Sequence, residues 1–268
     1  MSVRYALDGA IATLTIVGRG ERNLMTSETS EELNARLAEF DETPAAVACI
    51  LRGAGDLHFS AGSEGSAASK RAESVDRFFH PRPARSARPT ASARHESVYR
   101  PSKPVIAAIV GDCFGEALVF VGQASDVRIA GESARFGFPR QDGLGNLLVR
   151  SRLQHQIPYA SLMSMILVGE PMGAQEALRI GLVTQVVPDA EVFAQARVIA
   201  GRVDQLPPFT SRLEKGAILA CEHLNAADAV YFGWAYDCMT HRHPDGLEGV
   251  SSWVEKRQPH FWRFEQEG

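Results

Sequence analysis

Residues 102–130, SKPVIAAIVGDCFGEALVFVGQASDVRIA, decide how the rest of the chain is read. Residues 104–110 form an unbroken apolar run, the pattern of a strand buried on both faces. Gly111 interrupts the run, Asp112-Cys113-Phe114-Gly115 reads as a tight corner, and residues 116–123 read as a short apolar helix. Residues 127–130 return as a second buried strand. A strand, a sharp glycine turn and a helix start gather backbone N–H groups at one point, which favours a developing negative charge there. The alternative is a buried helix whose glycines serve packing alone.

Outward from this stretch, small-residue loops recur. Residues 46–51 read as another buried strand, Gly53-Ala54-Gly55-Asp56 as a turn, and Phe59-Ser60-Ala61-Gly62-Ser63-Glu64-Gly65 as a loop where a backbone can approach a ligand closely. Two strand-to-glycine-loop units, at 46–65 and 104–116, therefore present backbone donors, and their repetition points to one shared site. Towards the N-terminus, Asp8-Gly9 between residues 3–7 and 11–17 signals a hairpin. Thr26 or Ser27 can cap a helix whose apolar Leu33, Leu37 and Phe40 fall at i, i+4 and i+7.

Composition bounds the class. The chain has 268 residues, 45% of them hydrophobic and 22% charged, as in an ordinary globular protein. A net charge of −4 argues against a general nucleic-acid binder. No apolar run approaches a membrane span, and MSVRYALDGA lacks the apolar core of a signal peptide. The four cysteines are scattered without a CxxC pair. His241 and His243 have the spacing of a metal pair, but no nearby cluster supports one. The expectation is a cytoplasmic protein without a structural metal.

Residues 73–100 differ in character, with Arg82, Arg85, Arg88, Arg94 and Arg100 set among prolines. They read either as an exposed basic insert or as a lid whose guanidinium groups meet an anionic ligand. Further on, residues 134–138 read as a short strand, Pro158 as the start of a helix, 173–180 as a helical turn, 182–187 as a strand and 190–202 as a helix. After Pro207-Pro208 only helices follow, near 210–223, 226–239 and 246–256, which divides the chain into an α/β core over 1–205 and a helical region over 206–268.

Six segments together carry a family resemblance: GERNLMTSETSEELNARL (20–37), ILRGAGDLHFSAGSE (50–64), SKPVIAAIVGDCFGEA (102–117), SARFGFP (133–139), ALRIGLVTQVVP (177–188) and GLEGVSSWVEKRQPHF (246–261). In this order they resemble the enoyl-CoA hydratase/isomerase, or crotonase, superfamily over nearly the whole length. The resemblance implies an α/β fold, a spiral of ββα turns with a C-terminal helical region that builds homotrimers and often hexamers. It implies an acyl-CoA ligand, with coenzyme A as part of the substrate and no separate cofactor. The thioester carbonyl would sit in an oxyanion hole of two backbone N–H groups, which match Ser63 and Glu116. The turn Arg22-Asn23-Leu24, with Ala61 and residues Ser63, Glu64, Gly65 and Ser66, would line the coenzyme A arm.

The chain departs from that family's pattern where the chemistry is done. The first of the two glutamates used by hydratases falls on Val119 or Phe120, depending on the end of the helix from which it is counted. The second falls on Arg140. Neither an apolar side chain nor a guanidinium replaces a carboxylate in proton transfer, which weighs against hydration by the usual pair. Asp142, two residues past Arg140, is the foremost proton-transfer candidate by position. Glu64 reads as structural more readily than catalytic, and His95 as a surface or core histidine. Arg140 would face the acyl pocket and select an acyl group carrying its own negative charge. The reading leans towards an enzyme, an isomerase, decarboxylase or hydrolase of the family; the alternative is a non-catalytic binding or assembly protein on the same fold.

Overall fold

The computed structural model describes residues 2–64, 99–138, 152–222 and 224–261. Strands β1 (Val3–Asp8) and β2 (Ile11–Ile16) form the hairpin expected at Asp8-Gly9, with Asp8 opposite Ile11. β3 (Ala48–Gly53), β4 (Val105–Ile109), β6 (Val127–Gly131) and β9 (Gln185–Val187) then add in parallel, giving a six-stranded sheet in the order β1-β2-β3-β4-β6-β9. The central strands are apolar on both faces because both faces are covered. On β3, Cys49 and Leu51 enter the larger core and Ala48 and Ile50 the smaller; on β4, Val105, Ala107 and Ile109 face one core and Ile106 and Ala108 the other.

Each core has its own helix. Helix α1 (Ser27–Glu42) is capped by Thr26, whose hydroxyl accepts from Thr29 N–H while the Thr29 hydroxyl accepts from Thr26 N–H. Its Leu33, Leu37 and Phe40 are buried in the larger core, as their spacing requires. Fully burying such side chains contributes about 1.5–3 kcal/mol each. Helix α6 (Val192–Asp204) covers the other face, where the small Ala196 and Ala200 bring it close to Ala48, Ile50 and Ala108.

The central stretch folds as β4, then β5 (Asp112–Phe114), then α2 (Glu116–Ala124). The corner expected at 112–115 is thus partly a strand. β5 pairs in parallel with β7 (Arg135–Gly137), and β7 pairs antiparallel with β8 (Met172–Gly173) in a separate three-stranded sheet. Between β7 and β8 lie α3 (Leu153–Gln156) and α4 (Tyr159–Met163), the latter continuing into a π turn over Ser164–Val168. Arg128, buried on β6, donates to Ser125 Oγ, Leu182 O and Gln156 Oε1, and burial lowers its pKa to about 10. Gln156 in turn donates to Gly122 O, so this guanidinium fixes α3 beneath α2.

After α5 (Ala174–Arg179), the chain runs through β9 and α6 into α7 (Pro208–Cys221), α8 (Ala226–Arg242) and α9 (Pro244–Glu255). α7 docks on the core through polar contacts. Arg212 Nε donates to Ser102 Oγ (3.1 Å), and Lys215 Nζ reaches Lys103 O (2.8 Å) and Asp126 Oδ2 (2.7 Å). Just past its end, Glu222 takes both arms of Arg152. Among the described residues, no helix is long and apolar enough to cross a membrane.

Candidate active site

The two glycine loops meet. Phe59 N–H donates to Val110 O (2.7 Å) and Ser60 N–H to Asp112 O (2.8 Å), while Phe114 N–H returns to Ser60 O (3.0 Å). The loop over residues 59–63 is therefore laced alongside β5 as if it were a further strand. Gly62 then turns with φ +95°, and a methyl there would lie 2.9 Å from Phe114 O, so only glycine brings the loop this close. Gly115, the N-cap of α2, donates its N–H to Gly137 O (2.9 Å). A methyl on Gly115 would lie 4.0 Å from Gly62 Cα. Ser63 and Glu116 follow these two adjacent glycines.

The local hydrogen bonds fix how their backbones face. Met25 bridges Ser63 in parallel by donating to Gly62 O and accepting from Glu64 N–H, both at 2.8 Å. In that pattern the N–H of Ser63 itself points away from Met25. Glu116 is the first residue of α2, so its N–H donates to no carbonyl of its own helix. Its side chain closes the corner. Glu116 Oε2 accepts from Ser63 Oγ (2.5 Å), and Oε1 accepts from Ser30 Oγ on α1 (2.7 Å).

The turn expected to line a coenzyme A arm lies beside this corner. Arg19 and Leu24 exchange backbone bonds of 2.8 and 2.9 Å, and Ala61 N–H donates to Arg22 O (2.9 Å). Asn23 turns inward: its amide spans Ile16 O (3.0 Å) and Phe59 O (2.7 Å) while its Oδ1 accepts from Gly18 N–H. Its side chain therefore builds the turn, its N–H is taken by Gly20 O (3.1 Å), and the residue is buried, so Asn23 shapes the turn from within. Arg19 pairs with Glu64 at 3.0 Å. Arg22 Nη2 reaches Asp112 Oδ2 (3.1 Å), and Arg135 meets Asp112 Oδ1 through Nη2 (2.7 Å) and Nε (3.0 Å). Asp112 is buried, yet both guanidiniums are more than half exposed, so one carboxylate orients two surface cations.

Of the site residues expected from sequence, Arg22, Asn23, Leu24, Ala61, Ser63, Glu64 and Glu116 thus fall in one region. Gly65, Ser66, Arg140 and Asp142 lie outside the described residues, as do His95 and the arginines at 82–94. Phe120 is buried in the larger core and Val119 packs against it. Sequence reasoning missed Ser30, Asp112 and Arg135. Ser30 is separated from Glu116 by 86 residues and carries no local signal of that contact.

The comparisons with known proteins agree with one another. The family described as enoyl-CoA hydratase/isomerase matches over residues 7–264. The carnitinyl-CoA dehydratase of Escherichia coli strain K12 is 29% identical over 272 residues, covering 98% of each chain. The carnitinyl-CoA dehydratase of Proteus mirabilis is 29% identical over 256 residues, covering 92% of this chain and 93% of its own. Among solved structures, an enoyl-CoA hydratase from Bacillus anthracis superposes with a TM-score of 0.83 at 25% identity, over 97% of this chain and 99% of that one. An enoyl-CoA hydratase/isomerase from Mycobacterium paratuberculosis gives 0.83 at 24% identity, over 98% of both chains, and shares the fold.

Proposed function

The chain belongs to the enoyl-CoA hydratase/isomerase family, and from that premise we propose that it acts on an acyl-CoA, holding the thioester oxygen between the N–H groups of Ser63 and Glu116. The observation that carries the reading is the hydrogen bond between Ser63 Oγ and Glu116 Oε2 (2.5 Å) just past Gly62 and Gly115, which sets Ser63 and Glu116 side by side at the start of a helix. Donors fixed before reaction stabilise an enolate without reorganising. The exposed guanidiniums of Arg22 and Arg135 on the neighbouring face suit the phosphates of coenzyme A.

The reaction is one that needs less proton transfer than hydration by two glutamates. Val119 and Phe120 are apolar, and by its place in the sequence Arg140 stands where the second glutamate is expected. Isomerisation and decarboxylation proceed through an enolate and fit this inventory. The dehydratase names of the relatives point instead to loss of water from a β-hydroxyacyl-CoA, which is the reverse of hydration and needs the same acid–base groups, so it requires a substitute for the missing pair. The Glu116 carboxylate favours a second reading, a binding protein without turnover, because a negative charge beside an oxyanion hole opposes an enolate.

Calorimetric titration with butyryl-CoA, alongside a turnover screen against crotonyl-CoA, a malonyl-type CoA and a 3-enoyl-CoA, tests the proposal. Binding is expected, with at least a tenfold loss in Gly62→Ala, whose added methyl meets Phe114 O. Hydration of crotonyl-CoA is expected to lag a dedicated hydratase by about 10²–10⁴-fold for each missing acid–base group. Absence of binding to any CoA thioester overturns the reading.

A further inference from the structure

The side chain of Glu116 reaches Ser63, the residue proposed to share the oxyanion hole with its N–H. One oxygen is held by Ser63, the residue proposed to supply the other oxyanion donor, and the second by Ser30 near the start of α1. Hydroxyls of two separate segments thus fix one carboxylate in place, with both of its oxygens accepting. Ser63 Oγ lies about 3 Å from its own backbone N by covalent geometry. With the 2.5 Å hydrogen bond, Oε2 stands about 5 Å from that donor.

We propose that the Glu116 carboxylate is the proton-transfer group of this site, positioned by Ser63 and Ser30; this rests on the acyl-CoA reading above. The enolate oxygen lies a further hydrogen bond beyond the Ser63 donor, so a carboxylate that stays charged about 5–8 Å from it slows its formation on the order of ten- to a hundredfold at the effective dielectric of a protein. A carboxylate that takes the α-proton is neutral at the moment the enolate carries the charge. The Cα–H bond of the acyl group breaks and its proton bonds to a Glu116 oxygen. The electron pair of that bond forms the Cα=C double bond, and the carbonyl π pair moves onto the thioester oxygen between the two N–H groups. One negative charge enters the step on Glu116 and leaves it on the enolate, and reversal returns the proton. The same residue therefore supplies an oxyanion donor from its backbone and the base from its side chain. This also accounts for a glutamate in a loop where backbone approach favours the smallest residues, and for apolar Val119 and Phe120 on the helix beyond it.

Exchange of the α-protons of butyryl-CoA in D₂O, followed by proton NMR, reads this step without any net reaction. The wild-type protein is expected to bind and to exchange. Glu116→Gln keeps the N–H and a side chain of equal size, and is expected to lower the exchange rate about 10²–10⁴-fold with the dissociation constant within about threefold. Glu116→Asp, which retains the carboxylate, should exchange faster than Glu116→Gln. Where Glu116→Gln fails to fold, Glu116→Gly replaces it, since it also keeps the N–H and lacks the base, and the same fall is expected. Exchange that is unchanged or faster in the variant lacking the carboxylate overturns the proposal, faster being the mark of a mere repulsive neighbour. Binding by the wild type without exchange overturns it too, while leaving the acyl-CoA reading in place. Failure to bind removes both.

Discussion

Around Gly62 and Gly115 the corner is backed by the buried Phe59, Ser60, Phe114 and Ala117, whereas α8 and α9 leave Tyr231, Trp234 and Trp253 at 74%, 68% and 82% exposure. Helix α2 buries Ala117, Leu118, Phe120, Val121, Gly122 and Ala124, while α7 and α8 bury no residue at all. On α9 the buried residues are the polar Asp245 and Ser252, and its apolar Leu247, Val250 and Trp253 face outward. The difference teaches where each region finds its stability. The corner is held by this chain's own sheet and helices, so its geometry can be set within one subunit. The terminal helices carry apolar side chains that the described residues leave exposed, each worth about 1.5–3 kcal/mol if buried. A surface this apolar and aromatic suits a subunit interface. We propose that copies of the chain cover it in a trimer or hexamer.

The sharpest way to break that contrast is to charge the exposed face. Replacing Trp234 and Trp253 together by Asp should abolish assembly while leaving the core folded, because both side chains are largely exposed. Light scattering behind a sizing column should show the wild type at three or six times the mass of one chain and the variant at one. A monomeric wild type at micromolar concentration would show that these helices need no partner.

Glycines read the same contrast at the level of single methyl groups. Gly111 ends the β4 run with φ +57°, and a methyl there would lie 1.8 Å from Leu57 O. Gly111→Ala should therefore cost about 3–5 kcal/mol, from backbone strain and a clash the packed core cannot relieve. For a chain of this size that lowers the melting temperature by roughly 6–15 °C. Gly216 in α7 has open space where a methyl would go. Gly216→Ala should gain up to about 1 kcal/mol through helix propensity. Equal responses at the two sites would erase the distinction between a packed and an uncovered region.

How far this contrast was legible in the sequence follows from the range of each interaction. The strands β3 and β4 and helices α1 and α2 announce themselves through local periodicity, and α1 through its Thr26 cap as well. The meeting of Ser63 with Glu116 was foreshadowed because two strand-to-glycine loops repeat, and the family resemblance placed a site there. By contrast β5 and β8, of three and two residues, exist only through tertiary pairing, β8 with β7 and β5 with β7 and the loop at Ser60, and no period can be counted over so few residues. The Arg22–Asp112–Arg135 cluster joins segments 90 and 23 residues apart, so its members read separately as an entry turn, a corner and a strand. In the tail, the helices were visible from composition, but their lack of cover is a tertiary fact.

The junction between the two regions gives the smallest effect and the most specific one. Lys103 is buried at the foot of α7, where its ammonium donates to Thr43 O (2.6 Å) and Phe40 O (3.2 Å) at the end of α1. Burial first, and then the Arg212 guanidinium, bring its pKa down to about 8, against an ordinary value of 10.5. Burial lowers Lys215 as well, although Asp126 opposes the shift. The sign follows from linkage. From about pH 8 upward the unfolded chain holds the Lys103 proton more firmly than the folded one, so stability rises with pH. Above about pH 9 the buried thiols of Cys49 and Cys113 act in the opposite sense, because burial raises both above the ordinary 9.0 and the unfolded chain loses those protons first. Tyr99, raised to about 12 by burial and by Asp41, joins them above pH 10. Unfolding by urea at pH 7.5, 8.3 and 9.0 should therefore show stability climbing by roughly half a kcal/mol, Lys103 contributing about 1 kcal/mol and the two thiols offsetting part of it, before it turns over. Lys103→Met should flatten that climb, whatever the lost hydrogen bonds do to absolute stability. A slope that survives in Lys103→Met would move the titration to Lys215, and a flat wild-type curve would mean that α7 opens enough at its foot to keep both ammonium groups in water.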